Sequence, residues 1–318
     1  MKKTTQNLSI ASHQKNELNM LQKVGSALAV LALFILVLAF FNLQLQSKSF
    51  WLYGSLFALL AGLVLYSKGT YLYQPAGIKN DNVFFKSITN KGFLAWMVGI
   101  MLTAFYIVLY WFPKYLGLAE NGKNIGLVGF FDPLSLLLNG KPASQWFVYG
   151  TLYTVAILGL GYKFILKYRH NKYQQVRTIS VMFFQLGFAF LLPEFLEKLN
   201  PEKAYFAKDL KNMWPLNYYF FNDWHLTNLT NGGNLGLFML IWGIALIFII
   251  SPILTYFYGK RWYCSWVCGC GGLAETAGDS FRQLSDKSTK AWKFERWSIH
   301  LVLVFSIVMT IAVIFTFL

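Results

Sequence analysis

The chain has 318 residues, of which 56% are apolar and 19% aromatic but only 13% charged, and its mean hydropathy is +0.45. Soluble domains carry about 25% charged residues, so composition excludes an ordinary soluble enzyme and points to an integral membrane protein. The net charge of +15 would suggest nucleic acid on a soluble protein. Here the basic residues fall between apolar runs, and no nucleic-acid partner is expected.

The apolar runs are about 18 residues or longer, which favours helices over a barrel, whose strands alternate over about 10 residues. The expected fold is an all-α integral membrane protein, a helical bundle of about seven transmembrane helices. The spans read as Val24–Leu45, Phe50–Tyr66, Phe93–Phe112, Trp146–Leu166, Ile179–Leu196, Leu235–Tyr258 and Trp297–Leu318. A crossing helix needs about 20 apolar residues, so the second and fifth are the short ones. The first run starts near Val24, lacks a small-residue cleavage site and reads as a span rather than a signal peptide.

Loop charge sets the orientation. With a cytoplasmic N-terminus, the outer segments carry only Lys48, Lys114, Lys123, Lys141, Lys198, Lys203, Lys208 and Lys211 of the 28 basic residues. That asymmetry follows the positive-inside rule and predicts a multi-pass protein of the inner (cytoplasmic) membrane, with the lipid bilayer as its first partner. The division expected is a cytoplasmic segment 1–23, a six-span domain 24–258 with outer loops 113–145 and 197–234, a cytoplasmic segment 259–296 and a seventh span 297–318.

In chain order, Ser67–Gly92 reads as a solvated inner loop with a short amphipathic helix around Val83–Ile88. In the first outer loop, Asp132 suits an N-cap, Pro133 the first helical position and Gly140 a terminator. They frame a short apolar helix that packs at the outer interface. Lys163–Arg177 is a dense basic loop with interleaved tyrosines, read as a headgroup anchor. Gln185 inside the fifth span is read as a helix–helix hydrogen bonder. The second outer loop is aromatic from Trp214 to Trp224 and contains His225, and Asn231-Gly232-Gly233 forms a turn into the sixth span. Leu273–Leu284 is helix-compatible, and Asp279 is placed to pair with Arg282. Phe317-Leu318 carries no interfacial anchor, so the chain reads as a truncated product or as half of a larger assembly.

All three cysteines lie between the sixth and seventh spans, in Arg261-Trp262-Tyr263-Cys264-Ser265-Trp266-Val267-Cys268-Gly269-Cys270-Gly271-Gly272. The stretch must lie at, or fold back into, the cytoplasmic membrane edge, where thiols stay reduced. Thiolates are soft ligands suited to iron–sulfur clusters, zinc or copper(I). Cys264, Cys268 and Cys270 supply three of the four ligands such a centre needs. The glycines let backbone N–H groups approach the sulfurs. Lys260 and Arg261 would offset thiolate charge, and Trp266 would shield the site. His300, at the start of the seventh span, is a candidate fourth ligand or proton acceptor, with helix packing as the plainer role. No hydrolytic triad or phosphate-binding loop is visible.

The stretch Tyr258-Gly259-Lys260-Arg261-Trp262-Tyr263-Cys264-Ser265-Trp266-Val267-Cys268, followed by Gly271-Gly272-Leu273-Ala274-Glu275, resembles the membrane polyferredoxin family. That family includes quinol-oxidising membrane subunits of nitrate reduction, nitrous-oxide regulators and cytochrome-oxidase accessory proteins. The resemblance implies electron transfer through membrane-edge cysteines and 4Fe-4S clusters, with a quinone among the partners. Two departures stand out. Cys268 is followed by Gly269 rather than proline, with Cys270 additional. The chain also has no second such motif and no ferredoxin-type cysteine run. A redox partner protein, or a missing C-terminal ferredoxin-like domain, is therefore expected to complete the system. Two other functions stay open: a copper- or zinc-handling assembly factor for a respiratory complex, and a structural membrane subunit whose cysteines only pack.

Overall fold

The computed structural model describes residues 18–42, 47–72, 93–119, 123–199, 222–259, 261–281 and 288–317, which form helices and their connections, with no strand among the described residues. In chain order the α-helices are α1 (Met20–Phe40), α2 (Lys48–Tyr71), α3 (Phe93–Trp111), α4 (Gly126–Phe130), α5 (Asp132–Leu138) and α6 (Gln145–Lys167). They continue with α7 (Lys172–Leu199), α8 (Asp223–Asn231), α9 (Gly233–Tyr258), α10 (Trp262–Trp266), α11 (Gly269–Thr276) and α12 (Thr289–Phe317). By length and composition, α1, α2, α6, α7, α9 and most of α12 are apolar enough to cross a membrane. The third expected span is α3, a 19-residue helix in which Gly99–Trp111 is a shorter apolar stretch.

Both spans expected to be short are longer. Helix α2 has 24 residues and α7 has 28, because polar residues extend the helices beyond their apolar windows. The supposed basic loop 163–177 is mostly helix: α6 runs to Lys167, and α7 begins at Lys172 behind Asn171, whose side chain accepts the Gln174 N–H. Helix α7 also runs through Pro193, with π-helical geometry over Phe184–Leu191. Helix α9 does the same before Pro252, over Leu246–Ile250. A proline removes one i→i−4 bond and crowds the preceding carbonyl, so the turn before it widens instead of breaking.

Helices α1 and α2 meet at glycine. A Cβ on Gly25 would lie 2.5 Å from the Tyr66 nitrogen and 2.7 Å from the Gly62 oxygen, so only small residues allow this approach. The end where α1 begins, here the proximal end, is tied together across the chain. Asn19 donates to the Gly69 carbonyl at 2.7 Å, Gln22 to the Thr70 hydroxyl at 3.1 Å, and Arg169 to the Tyr71 and Leu72 carbonyls at 3.1 Å each.

The opposite, distal end gathers the segments expected on the outside. The Gly126 N–H donates to the Asn42 side chain, Asn124 donates to Asp132 and to the Ala143 carbonyl, Asn139 donates to Glu194, and Lys141 pairs with Glu197 at 2.7 Å. The main buried apolar cluster, with Leu36, Leu52, Leu109, Val128, Phe131, Phe147 and Phe190, lies here. The expected short helix is α5, ended by Gly140 at φ +79. Asp132 is its first residue rather than its cap, and its carboxylate instead accepts from Asn124 and the Ala143 N–H. Gly233, at φ +66, makes the expected turn into α9. The Val83–Ile88 stretch, the aromatic residues 214–221 and Arg282 lie outside the described residues.

Candidate functional site

The cysteine stretch folds as a hairpin of two short helices. Gly259, at φ +86, ends α9 in a backbone conformation that side-chain-bearing residues rarely adopt, and the chain turns there. Helix α10 carries Cys264 and closes where the Val267 and Cys268 N–H groups both donate to the Tyr263 carbonyl at 2.9 Å. Cys268 then caps the N-terminus of α11, and Cys270 sits in its first turn. The two helices touch through backbone: a Cβ on Gly271 would lie 2.0 Å from the Cys264 carbonyl oxygen. Glycine at 271 is therefore what brings the two cysteine-bearing helices together.

Helix α11 is clamped along α7 in antiparallel steps. Gly269 lies against Gln185 and Tyr153, where a Cβ would come within 2.3 Å of the Gln185 side-chain oxygen. Gly272 lies against Val181. Glu275 forms an ion pair with Arg177, and Asp279 accepts from Lys167 at 2.6 Å and from the Tyr168 hydroxyl at 3.0 Å. Ser180 donates to the Trp266 carbonyl at 2.8 Å, and Tyr173 meets the Trp266 ring edge-on at 5.6 Å. Gln185 donates to the Thr154 hydroxyl at 3.2 Å, the helix–helix hydrogen bond expected of it.

These contacts set the depth of the site. Gln185 is about 20 Å along α7 from Lys172, and Tyr153 about 21 Å along α6 from Lys167, at roughly 1.5 Å rise per residue. The N-terminus of α11 therefore lies about 20 Å along α6 and α7 from their proximal ends, while the residues after its C-terminus return to that end.

Cys264 and Cys270 are exposed free thiols and Cys268 is half-buried. Burial pushes the Cys268 thiol up from its ordinary value, while the backbone of Gly271 and Cys270 pulls against that shift. Burial likewise pushes the Tyr263 phenol up, with the cysteines adding to it. Among the described residues no three Cys, His, Asp or Glu side chains form a group able to hold a metal ion. What the hairpin offers is a set of soft donors, with a helix N-terminus favouring negative charge at Cys268. The Tyr153 ring lies against Gly269, and its hydroxyl is buried. As placed, these thiols do not gather into a group that fits a metal ion.

Of the other expected site residues, Arg261 is exposed at the start of α10 and Trp266 is half-buried against α7. His300 is exposed on α12, whose apolar window buries none of its residues. Lys260 lies outside the described residues. Sequence reasoning missed the clamp of Lys167, Tyr168, Arg177 and Ser180, and it missed Tyr153. One signal was available: in a chain with 13 acidic residues, Glu275 and Asp279 stand one helical turn apart, beside the cysteines.

Residues 237–288 match a family described as a 4Fe-4S binding domain. The matched stretch runs from α9 through α11 and contains all three cysteines. No curated protein and no solved structure matches the chain. The match supports iron–sulfur binding, with a 4Fe-4S cluster as the cofactor.

Proposed function

We propose that this chain is a membrane electron-transfer protein of the polyferredoxin type, in which Cys264, Cys268 and Cys270 are cluster ligands. The observation that carries this is the hairpin itself. The chain's three thiols sit on two helices joined by glycine contact and clamped into the bundle, within the stretch similar to a 4Fe-4S binding domain. A 4Fe-4S cluster supplies reversible one-electron transfer. The chain's residues hold and condition the site. Trp266 packs against Ser180 and Tyr173 of α7. The Lys167–Asp279 and Arg177–Glu275 pairs keep α11 at its depth.

In this reading the proximal end is cytoplasmic, following the loop charges, and the protein lies in the inner membrane. A fourth ligand comes from a further segment or a partner protein. Electrons pass between a quinone, or another membrane donor, and a redox partner.

Anaerobic purification of the full chain tests the reading. Iron and acid-labile sulfide in matching amounts are expected, with an EPR signal on reduction. Serine at positions 264, 268 and 270 together should abolish both without loss of membrane insertion. Stoichiometric copper or zinc with no iron would replace this function by metal handling.

A further inference from the structure

The basic stretch expected to anchor headgroups, 163–177, is engaged inside the protein. Lys167 and Arg177 are buried against Asp279 and Glu275, and Arg169 donates to the Tyr71 and Leu72 carbonyls. A different basic face stands exposed where α12 begins. The Ser288 hydroxyl accepts the Ala291 N–H at 3.2 Å, so the chain is helical from the first turn of α12. At about 100° per residue, Lys290, Lys293 and Arg296 fall within an arc of about 120°, and Glu295, the one acidic residue of α12, falls nearly opposite. These four residues are exposed, as are Trp292, Phe294 and Trp297. The Arg296 guanidinium lies 5.7 Å from the centre of the Trp292 ring.

Helix stability does not account for this face. Residues three apart are neighbours on a helix, so the three cations repel one another, and within α12 no acidic residue stands three or four places from any of them. The helix dipole also disfavours cations in the first turns. An anion laid against the face relieves both costs. The helix then runs straight into residues 299–313, largely apolar and exposed throughout, and its membrane-length window buries none of its residues. Whatever meets the basic face therefore lies at a boundary between charge and apolar surface, which in a bilayer is the headgroup level that tryptophan favours.

Resting on the membrane placement proposed above and not on its iron–sulfur chemistry, we propose that the first two turns of α12 bind an anionic phospholipid, with its phosphate against Lys290, Lys293 and Arg296. The lipid charge relieves the repulsion along the face, and Trp292 and Trp297 hold the helix at headgroup depth. A lipid is the occupant, and not an acidic protein, because the charged face continues directly into an apolar helix of membrane length.

Native mass spectrometry of the full chain tests this, with the detergent-solubilised protein titrated with phosphatidylglycerol or with phosphatidylcholine. The first phosphatidylglycerol is expected to bind more tightly than the first phosphatidylcholine. Lys290→Gln, Lys293→Gln and Arg296→Gln together should weaken phosphatidylglycerol by about fivefold for each charge in contact and leave phosphatidylcholine unchanged. Lys48→Gln, at the start of α2, should change neither. Adding Ala291→Lys to the triple variant places a charge on the opposite side of α12 and should restore nothing, whereas returning Lys293 alone should restore part of the affinity. Equal affinity of the wild type for the two lipids overturns the proposal. So does unchanged phosphatidylglycerol binding in the triple variant, or equal recovery from Ala291→Lys, which would leave net charge as the whole effect. A wild-type chain that stays in solution without detergent or lipid would refute the membrane placement itself, a separate result.

Discussion

Gly271 and Gly269 show how a missing methyl group positions a sulfur. An alanine at 271 would put its Cβ 2.0 Å from the Cys264 carbonyl oxygen, a backbone atom that cannot rotate away. Gly271→Ala should therefore separate α10 from α11, at an overpacking cost of about 1–3 kcal/mol. We expect a protein that still inserts but loses most of its iron on purification, read as iron per chain. Gly269→Ala is expected to be milder. The atom its Cβ meets first is the end of the Gln185 side chain at 2.3 Å, and a flexible amide can give way at the expense of its bond to Thr154. Wild-type iron in Gly271→Ala would show that the two helices need not touch.

At the scale of elements, α11 is held at depth by its proximal anchor. Lys167 and Asp279 are each 7% exposed in their side chains, so removing one partner strands a buried charge, at about 3–5 kcal/mol. Asp279→Asn should lower the denaturation midpoint of the purified protein strongly. The double change Lys167→Met with Asp279→Leu should recover most of the loss, since an apolar pair of similar volume suits a buried site. If the double variant is as unstable as the single one, the anchor acts through the Tyr168 hydroxyl, which also donates to Asp279. The Arg177–Glu275 pair is more open, at 11% and 33% side-chain exposure, and Glu275→Gln should cost less than Asp279→Asn. The prolines act at this scale too: Pro193 and Pro252 widen α7 and α9 without ending them, which keeps Gln185 on a continuous helix.

For the whole molecule, hydrogen bonds among the described residues gather Asn19, Gly69 and Arg169 at one end and Asn42, Asn124 and Asn139 at the other. Lys68, near the end of α2, belongs to the proximal end, and Lys123, before α4, to the distal end. Both are exposed. In a background with the three cysteines changed to serine, Lys123→Cys should react with a membrane-impermeant maleimide on intact cells. Lys68→Cys should react only after permeabilisation. The reverse pattern would invert the topology and place the proximal rim of the cysteine hairpin on the outside.

Much of this protein is written locally in its sequence. Composition and run length determine that it is helical and membrane-length in its spans, because each helix satisfies its own backbone whatever its neighbours do. The C-x3-C-x-C spacing marks the segment that matches a 4Fe-4S binding domain, and glycines at 259, 269, 271 and 272 announce a tight backbone around it. Tertiary structure alone decided where that segment goes. Lys167 meets Asp279 across 112 positions and Arg177 meets Glu275 across 98, and hydropathy carries no information about pairings at such separations. A charged stretch next to a span looks the same whether it anchors headgroups or clamps a folded-back helix. The position of Cys268 and Cys270 along the helices follows from how α11 packs between α6 and α7.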